Sequence, residues 1–165
     1  MGIPSIRSLA LLSAIAAGLA LGIAEVSEYW GGLVPCALCL VERWPYRVAI
    51  VLGLIAFVVP RVVARWLLVL SVVTILVGAA FAFVHVGVEL HYWPSPLPEC
   101  AAPTLGTGSI AERLAQMPAR PAKPCDAPTF LIPGLPLSMA AMNLIYAIVV
   151  KMALAIGLWR DWRTA

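Results

Sequence analysis

The chain has 165 residues, of which 62% are hydrophobic and 12% are charged, and its formal net charge is +3. A soluble domain has about 45–50% apolar and about 25% charged residues, and so short a chain lacks the volume to bury such an apolar excess. The composition therefore excludes a disordered chain, a coiled coil and a basic nucleic-acid-binding domain, and it indicates a membrane protein.

Four apolar segments follow one another, and each is predicted to form a membrane-spanning helix. About 20 apolar residues are needed to cross a bilayer. The second segment has only 13 uncharged residues, 48–60, so its helix is expected to begin near residue 40, with its charges in the headgroup zone. The predicted fold is an all-α membrane protein, a single domain over residues 1–165 that forms a four-helix bundle. The predicted spans are residues 8–26, 40–59, 66–87 and 137–158.

The distribution of basic residues predicts the orientation. Four crossings place both termini on the same side of the membrane, and basic residues favour the cytoplasmic side. The outer side then holds two loops, residues 27–39 and 88–136. The basic residues assigned to the cytoplasm are Arg7, Arg61, Arg65, Arg160 and Arg163.

The longer outer loop is rich in proline, and one short helix is predicted inside it. Ser109 and Glu112 match a capping box, the pattern that begins a helix, and Pro118 ends the run. We expect a short amphipathic helix on the membrane surface. The alternative is a single irregular turn.

All four cysteines fall in the two outer loops, and the first two form a C-x-x-C motif just before the second predicted helix. Cys36 and Cys39 close a tight ring of the kind found in redox-active disulfides. A helix N-terminus favours the thiolate, which is the reactive form. Arg43 lies four residues after Cys39 and therefore on the same helix face.

Three interpretations of the cysteines are open. A four-cysteine zinc site is disfavoured because Cys100 and Cys125 lie too far along the chain, so no metal is predicted. Two inert structural disulfides in an oxidising compartment are a second interpretation. A redox relay is favoured, in which a Cys100–Cys125 disulfide closes a flexible loop and is exposed to attack by a thiolate.

The chain resembles the disulfide bond formation protein B (DsbB) family of bacterial inner-membrane, quinone-dependent thiol oxidases. The resemblance extends from about residue 8 to residue 159. The combination of C-x-x-C-x-x-E-R with four spans and a second cysteine pair is specific. The motifs that carry it are Pro35–Arg43, His85–Glu89, Trp93–Pro96, Pro124–Asp126 and Leu137–Asn143.

The resemblance implies a route for electrons. A periplasmic thioredoxin-fold donor, similar to DsbA, would deliver electrons to the outer pair and form a mixed disulfide with Cys100. Cys125 would exchange with Cys36, and Cys39 would become the thiolate that faces the quinone. The implied cofactor is ubiquinone or menaquinone from the membrane pool, without a metal and without nucleic acid as a partner.

The resemblance also implies roles for residues outside the cysteines. Arg43 would support the Cys39 thiolate and a quinone oxygen, and His85 would contact the quinone carbonyl. Glu42 is expected to pair with Arg47 or to supply a proton route. Glu89 either orients His85 or lies among the headgroups. Four aromatic residues are expected to be interfacial anchors: Trp30, Tyr46, Trp66 and Trp93.

The alternatives come from different functional classes. The chain is either a thiol oxidase or a membrane scaffold with inert disulfides. A dedicated branch that serves one partner is a further possibility, because residues 132–136 before the last span are unusually rich in proline and glycine. A reductase similar to the vitamin K epoxide reductase group is disfavoured, because that group usually has its C-x-x-C near the last helix.

Overall fold

A computed structural model describes residues 5–100, 109–115, 123–132 and 134–164. These residues form five α-helices and one 3-10 turn, and none of them is in a strand. The helices are α1 (Ile6–Tyr29), α2 (Ala37–Val58), α3 (Arg61–Glu89), α4 (Ile110–Ala115) and α5 (Met139–Arg163), and the 3-10 turn is Pro98–Cys100.

Three of the helices are long and apolar enough to cross a membrane. These are α1 with 24 residues, α3 with 29 and α5 with 25. Helix α2 has 22 residues, but Glu42, Arg43 and Arg47 lie in its first half. The predicted all-helical membrane fold is therefore confirmed, and the crossing of α2 stays a prediction.

The four long helices form a bundle in which α2 packs between α1 and α3, and α3 packs against α5. Small side chains at the contacts allow the helix backbones to approach closely. We call the end of the bundle with Tyr29, Cys36, Glu89 and Met139 the cysteine end. The central core residues are Ala16, Ala17, Tyr46, Ala49, Ile75, Ala79, Ala147, Val150 and Leu154.

The outer surface of the bundle is apolar, as a lipid environment requires. Leu11, Ile15, Leu19 and Ile23 recur every four residues on α1, and each is about half exposed. Exposed tryptophans lie toward both ends of the bundle, as in the aromatic belts of membrane proteins. They are Trp30 and Trp44 toward the cysteine end, and Trp66, Trp159 and Trp162 toward the opposite end.

Two polar contacts connect the helices away from the cysteine end. Ser13 of α1 and Ser71 of α3 are fully buried, with their hydroxyl oxygens 2.8 Å apart. Asp161 of α5 is buried and binds Arg61 at 2.6 Å and Arg65 at 2.7 Å. These ion pairs fix the start of α3 against the end of α5.

Several helix boundaries differ from the predicted spans, and the end residues explain why. Residues 61–65, predicted to link the second and third spans, instead form the first turn of α3. Pro60 is the N-cap of this helix, and Asp161 binds both Arg61 and Arg65. Helix α5 continues to Arg163, and its last turn carries two basic residues. Helix α2 begins at Ala37 and not near residue 40, because Cys36 is its N-cap.

The predicted capping box is present at α4. The Ser109 N–H donates to Glu112 Oε2 at 2.8 Å, and the Glu112 N–H donates to Ser109 Oγ at 3.4 Å. The predicted stop at Pro118 lies outside the described residues. Contact between α4 and a membrane stays a prediction.

A substitution at Gly53 can test the close packing of α1 against α2. A Cβ at Gly53 would lie 2.9 Å from the backbone oxygen of Ala10 and 2.9 Å from the backbone nitrogen of Ala14, whereas a Cβ at Gly22 would meet nothing within 4 Å. We expect Gly53→Ala to destabilise the protein by about 1–3 kcal/mol through overpacking. Gly22→Ala, the matched control, should change stability by no more than about 1 kcal/mol. Unfolding in detergent measures both, and equal stabilities would contradict the packing described here.

Candidate functional site

The C-x-x-C motif forms the start of α2, with the two sulfur atoms close but not bonded. Cys36 is the N-cap residue, and its Sγ accepts the Cys39 backbone N–H at 3.2 Å. The two Sγ atoms are 2.7 Å apart. Cys36 is buried, whereas Cys39 is partly exposed. The motif therefore lies at a helix N-terminus, as the sequence predicts, and its two cysteines are not bonded to each other.

The hydrogen bonds around Cys36 favour its thiolate. The bond from the Cys39 side chain lowers the pKa of the Cys36 thiol from its ordinary value, and burial opposes this effect less strongly. The Cys39 backbone N–H lowers the pKa further. Cys36 is therefore the member of the pair that carries negative charge more readily.

The second pair, Cys100 and Cys125, is joined by a disulfide. Both residues are buried, with relative exposures of 4% and 1%. They form one apolar cluster with Cys36, Leu38 and Val88. The expectation that this disulfide is exposed is therefore wrong, because both cysteines pack against the cysteine end of the bundle. Both cysteine pairs lie in this one cluster.

His85 reaches the dithiol from α3. Its Nε2 is 3.5 Å from Cys36 Sγ, and its Nδ1 is 2.7 Å from Glu42 Oε1. Because an ionised carboxylate only accepts hydrogen bonds, Nδ1 carries the proton and donates to Glu42. The lone pair of neutral His85 is then on Nε2, toward Cys36. His85 is buried, with a relative exposure of 3%.

Glu42 connects three helices at the cysteine end. Its Oε1 accepts from His85 of α3, and its Oε2 accepts from Asn143 Nδ2 of α5 at 2.6 Å. The Tyr46 hydroxyl donates to Asn143 Oδ1 at 2.6 Å. The expected pairing of Glu42 with Arg47 is wrong, since Arg47 pairs with Glu25 at 3.6 Å.

Two residues of this network, Tyr46 and Asn143, have roles that the sequence does not predict. Tyr46 is buried at 4% exposure, so the expectation of an interfacial anchor is wrong. Asn143 received no role from the sequence, although an amide inside an apolar span is itself a signal of a polar partner. Glu89 is bonded to Ser138 and, among the described residues, does not bind His85.

Arg43 is buried and held by acidic residues of α1. Its Nη1 lies 2.6 Å from Glu28 Oε2 and 3.6 Å from Glu25 Oε1. Its Nε is buried and has no hydrogen-bond partner among the described residues. Arg43 therefore keeps one N–H available for an acceptor that enters the site.

A cavity of about 180 Å³ lies at the cysteine end, lined mainly by α1, α2 and α5. Its polar wall includes Cys39, Glu42, Arg43 and His85, and the rest is largely apolar. Cys36 does not line it. Both cysteines of the motif contact the cluster that holds the disulfide, and of the two Cys39 also borders the cavity. The apolar lining residues include Leu21, Ile23, Leu33, Val34, Leu131 and Met142.

One group of side chains at the site has the donor set of a metal centre. The ligand atoms of Cys36, Cys39 and His85 all lie within 4.8 Å of one another. Two sulfurs and an imidazole nitrogen are typical ligands of zinc and other soft cations.

The hydrogen bond between the two thiols is expected to lower the pKa of Cys36, and this can be tested. In a Cys100→Ser/Cys125→Ser background, Cys39→Ala leaves Cys36 as the single thiol and removes its side-chain donor, so the Cys36 pKa should rise. Cys39→Ser is the matched control, because its hydroxyl still donates and should hold the pKa lower. Thiolate absorbance followed against pH measures both. Equal midpoints for the two variants would contradict the assignment.

Comparison with known proteins agrees with this architecture. Residues 6–157 match the family described as Disulfide bond formation protein DsbB. A relative that is 30% identical over 129 residues is the Uncharacterized protein RP370 of Rickettsia prowazekii (strain Madrid E), and the match covers 77% of this chain and 73% of the relative. No solved structure matches the chain. With nearly its whole length matched, the chain belongs to the DsbB family of disulfide-forming membrane proteins.

Proposed function

We propose that this protein oxidises a periplasmic thioredoxin-fold dithiol protein and passes the electrons through its two cysteine pairs to a membrane quinone. The observation that carries the proposal is the position of the dithiol. Cys36 packs against the Cys100–Cys125 disulfide, and Cys39 borders an apolar cavity. Electrons that enter at the Cys100–Cys125 pair therefore have a short path to the cavity through Cys36 and Cys39.

The exchange between the pairs balances as two consecutive thiol–disulfide steps. The donor dithiol attacks Cys100, forms a mixed disulfide, and leaves oxidised, so that Cys100 and Cys125 become thiols. The Cys125 thiolate then attacks Cys36 of a Cys36–Cys39 disulfide and releases Cys39 as a thiolate. Attack by Cys100 on Cys125 restores the outer disulfide and leaves Cys36 and Cys39 reduced. This final arrangement of bonds is the one described above.

His85 and Glu42 are suited to handle the proton of Cys36. The Nε2 of His85 faces the sulfur and accepts its proton when the thiolate is needed, and Glu42 stabilises the imidazolium that forms. Asn143 fixes the second oxygen of Glu42, so the imidazole ring is held in one orientation. Glu42 and His85 are buried, and Asn143 is half-buried beside them.

The cavity fits a quinone ring. Its walls are largely apolar, and its polar side includes Arg43, whose buried Nε–H has no hydrogen-bond partner among the described residues. Arg43 would donate its Nε–H to one oxygen of such a ligand, and Cys39 would lie beside it. His85 would donate to an oxygen from Nε2 once that nitrogen has taken the Cys36 proton. When bound, a quinone supplies an acceptor for two electrons and two protons, which is what the oxidation of a dithiol releases. Ubiquinone and menaquinone both meet this requirement.

The proposed location is the bacterial inner membrane, with four crossings, both termini in the cytoplasm and the cysteine end in the periplasm. In support, Arg61, Arg65, Arg160 and Arg163 gather at the opposite end of the bundle, as the positive-inside rule requires for a cytoplasmic face. The two arginines of α2, Arg43 and Arg47, lie in its first half and pair with acidic residues of α1, which lowers the cost of their insertion.

The direct test follows quinone absorbance in detergent after a reduced thioredoxin-fold donor is added. We expect the wild-type protein to reduce quinone and Cys39→Ser to reduce it only at the background rate, because the sulfur beside the cavity is absent. Gly22→Ala, which alters an open position on α1, is the control and should retain the wild-type rate. Quinone reduction by Cys39→Ser at the wild-type rate would overturn the proposed function.

Arg43 gives a second test that separates quinone binding from chemistry. A hydrogen bond from a charged donor contributes about 1.5–3 kcal/mol, so Arg43→Gln should raise the KM for quinone about tenfold to a hundredfold. Arg47→Gln is the matched control, since Arg47 also pairs with Glu25 but does not line the cavity. Its KM should match that of the wild type. The same KM for both variants would exclude a direct role for Arg43.

A further inference from the structure

We propose that the reduced dithiol and His85 form a binding site for Zn²⁺, with Cys36 Sγ, Cys39 Sγ and His85 Nε2 as its ligands. The site goes beyond the proposed electron transfer and does not depend on it. A metal held by both sulfurs would block formation of the Cys36–Cys39 disulfide. Zinc would therefore act as a reversible inhibitor of the reduced protein.

The three ligand atoms lie within 4.8 Å of one another, so a small rearrangement brings them to zinc coordination. With Zn–S bonds of about 2.3 Å and Zn–N bonds of about 2.0–2.1 Å, tetrahedral ligands lie about 3.5–3.8 Å apart. Cys36 Sγ and His85 Nε2 are already 3.5 Å apart. The two sulfurs, at 2.7 Å, must separate by about 1 Å. Rotation of the Cys39 side chain, which borders the cavity, provides this movement.

A carboxylate that accepts a hydrogen bond from His85 orients the imidazole ring for a metal. Zinc-binding histidines almost always donate their other ring N–H to a carboxylate, a carbonyl or water, which fixes the tautomer and makes the free nitrogen more basic. Glu42 makes this bond at 2.7 Å and is itself held by Asn143. The Nε2 of His85 is thereby left as the ligand atom.

The charge and proton balance also favours the site. Two thiols release two protons when they bind, and the two thiolates neutralise Zn²⁺ while His85 contributes as a neutral ligand. Arg43, the nearest buried cation on α2, is compensated by Glu25 and Glu28. Water from the cavity completes four-coordination at Cys39, as in open zinc sites with two cysteines and one histidine.

The sequence argued against zinc because a four-cysteine site needs Cys100 and Cys125 as ligands. The structure supplies the third ligand from α3 instead, and it leaves Cys100 and Cys125 bonded to each other. The spacing argument therefore does not apply to this smaller site.

The test uses the full-length, quinone-free protein in detergent, reduced, in a Cys100→Ser/Cys125→Ser background where Cys36 and Cys39 are the only thiols. Zn²⁺ affinity is measured by competition with a chromophoric chelator. Co²⁺, added as a spectroscopic probe, reports thiolate ligation through its visible absorption. We expect one Zn²⁺ per chain, loss of the Co²⁺ thiolate bands in Cys39→Ser, and a loss of affinity of about tenfold to a hundredfold in Glu42→Gln.

Glu89→Gln is the matched control, since Glu89 lies four residues after His85 on α3 but bonds to Ser138. Its Zn²⁺ affinity should equal that of the parent. Equal affinity in Glu42→Gln and the parent, or Co²⁺ spectra without thiolate bands, would overturn the site. His85→Gln should weaken binding as well, and folding of each variant is checked by its helical circular dichroism. Because neither quinone nor donor is present, failure here is distinct from failure of the proposed function.

Discussion

The arrangement of the cysteine end depends on one carboxylate, Glu42, buried in an apolar bundle. Burying a charge without partners is costly, and Glu42 avoids this cost by accepting from His85 on one oxygen and from Asn143 on the other. Because the two donors belong to α3 and α5, and Glu42 itself to α2, the bonds also define how three helices meet. His85 is thereby held 3.5 Å from Cys36.

The two cysteines of the motif differ in what they contact. Cys36 caps α2, is buried, and packs with the Cys100–Cys125 disulfide. Cys39 is one helical turn further on and borders the cavity, where Arg43 has an N–H that pairs with nothing in the part of the chain that the structure describes. In the proposed electron path, a dithiol placed in this way connects an exchange partner on one side with a quinone in the cavity on the other. The same geometry offers three soft ligand atoms to a metal when the dithiol is reduced.

The helices and the position of the C-x-x-C motif at the start of α2 were predictable because they follow from local patterns. Long apolar segments, the capping box at Ser109 and the C-x-x-C motif each need only neighbouring residues. The partners of Glu42, Tyr46 and Arg43 were not predictable, because they come from other helices and depend on how α1, α3 and α5 pack. The burial of the Cys100–Cys125 disulfide could not be predicted for the same reason, because it depends on how these two residues pack against the bundle.

The central claim is that both cysteine pairs take part in one electron path that ends at a quinone. The most direct measurement is the thiol redox state of each cysteine in membranes with and without respiratory quinone, by trapping with a mass-shifting alkylating reagent. The account predicts that without quinone both pairs accumulate in the reduced form, and that adding quinone oxidises them again. Cysteines that stay oxidised without quinone in the presence of reduced donor would identify inert disulfides and contradict the account.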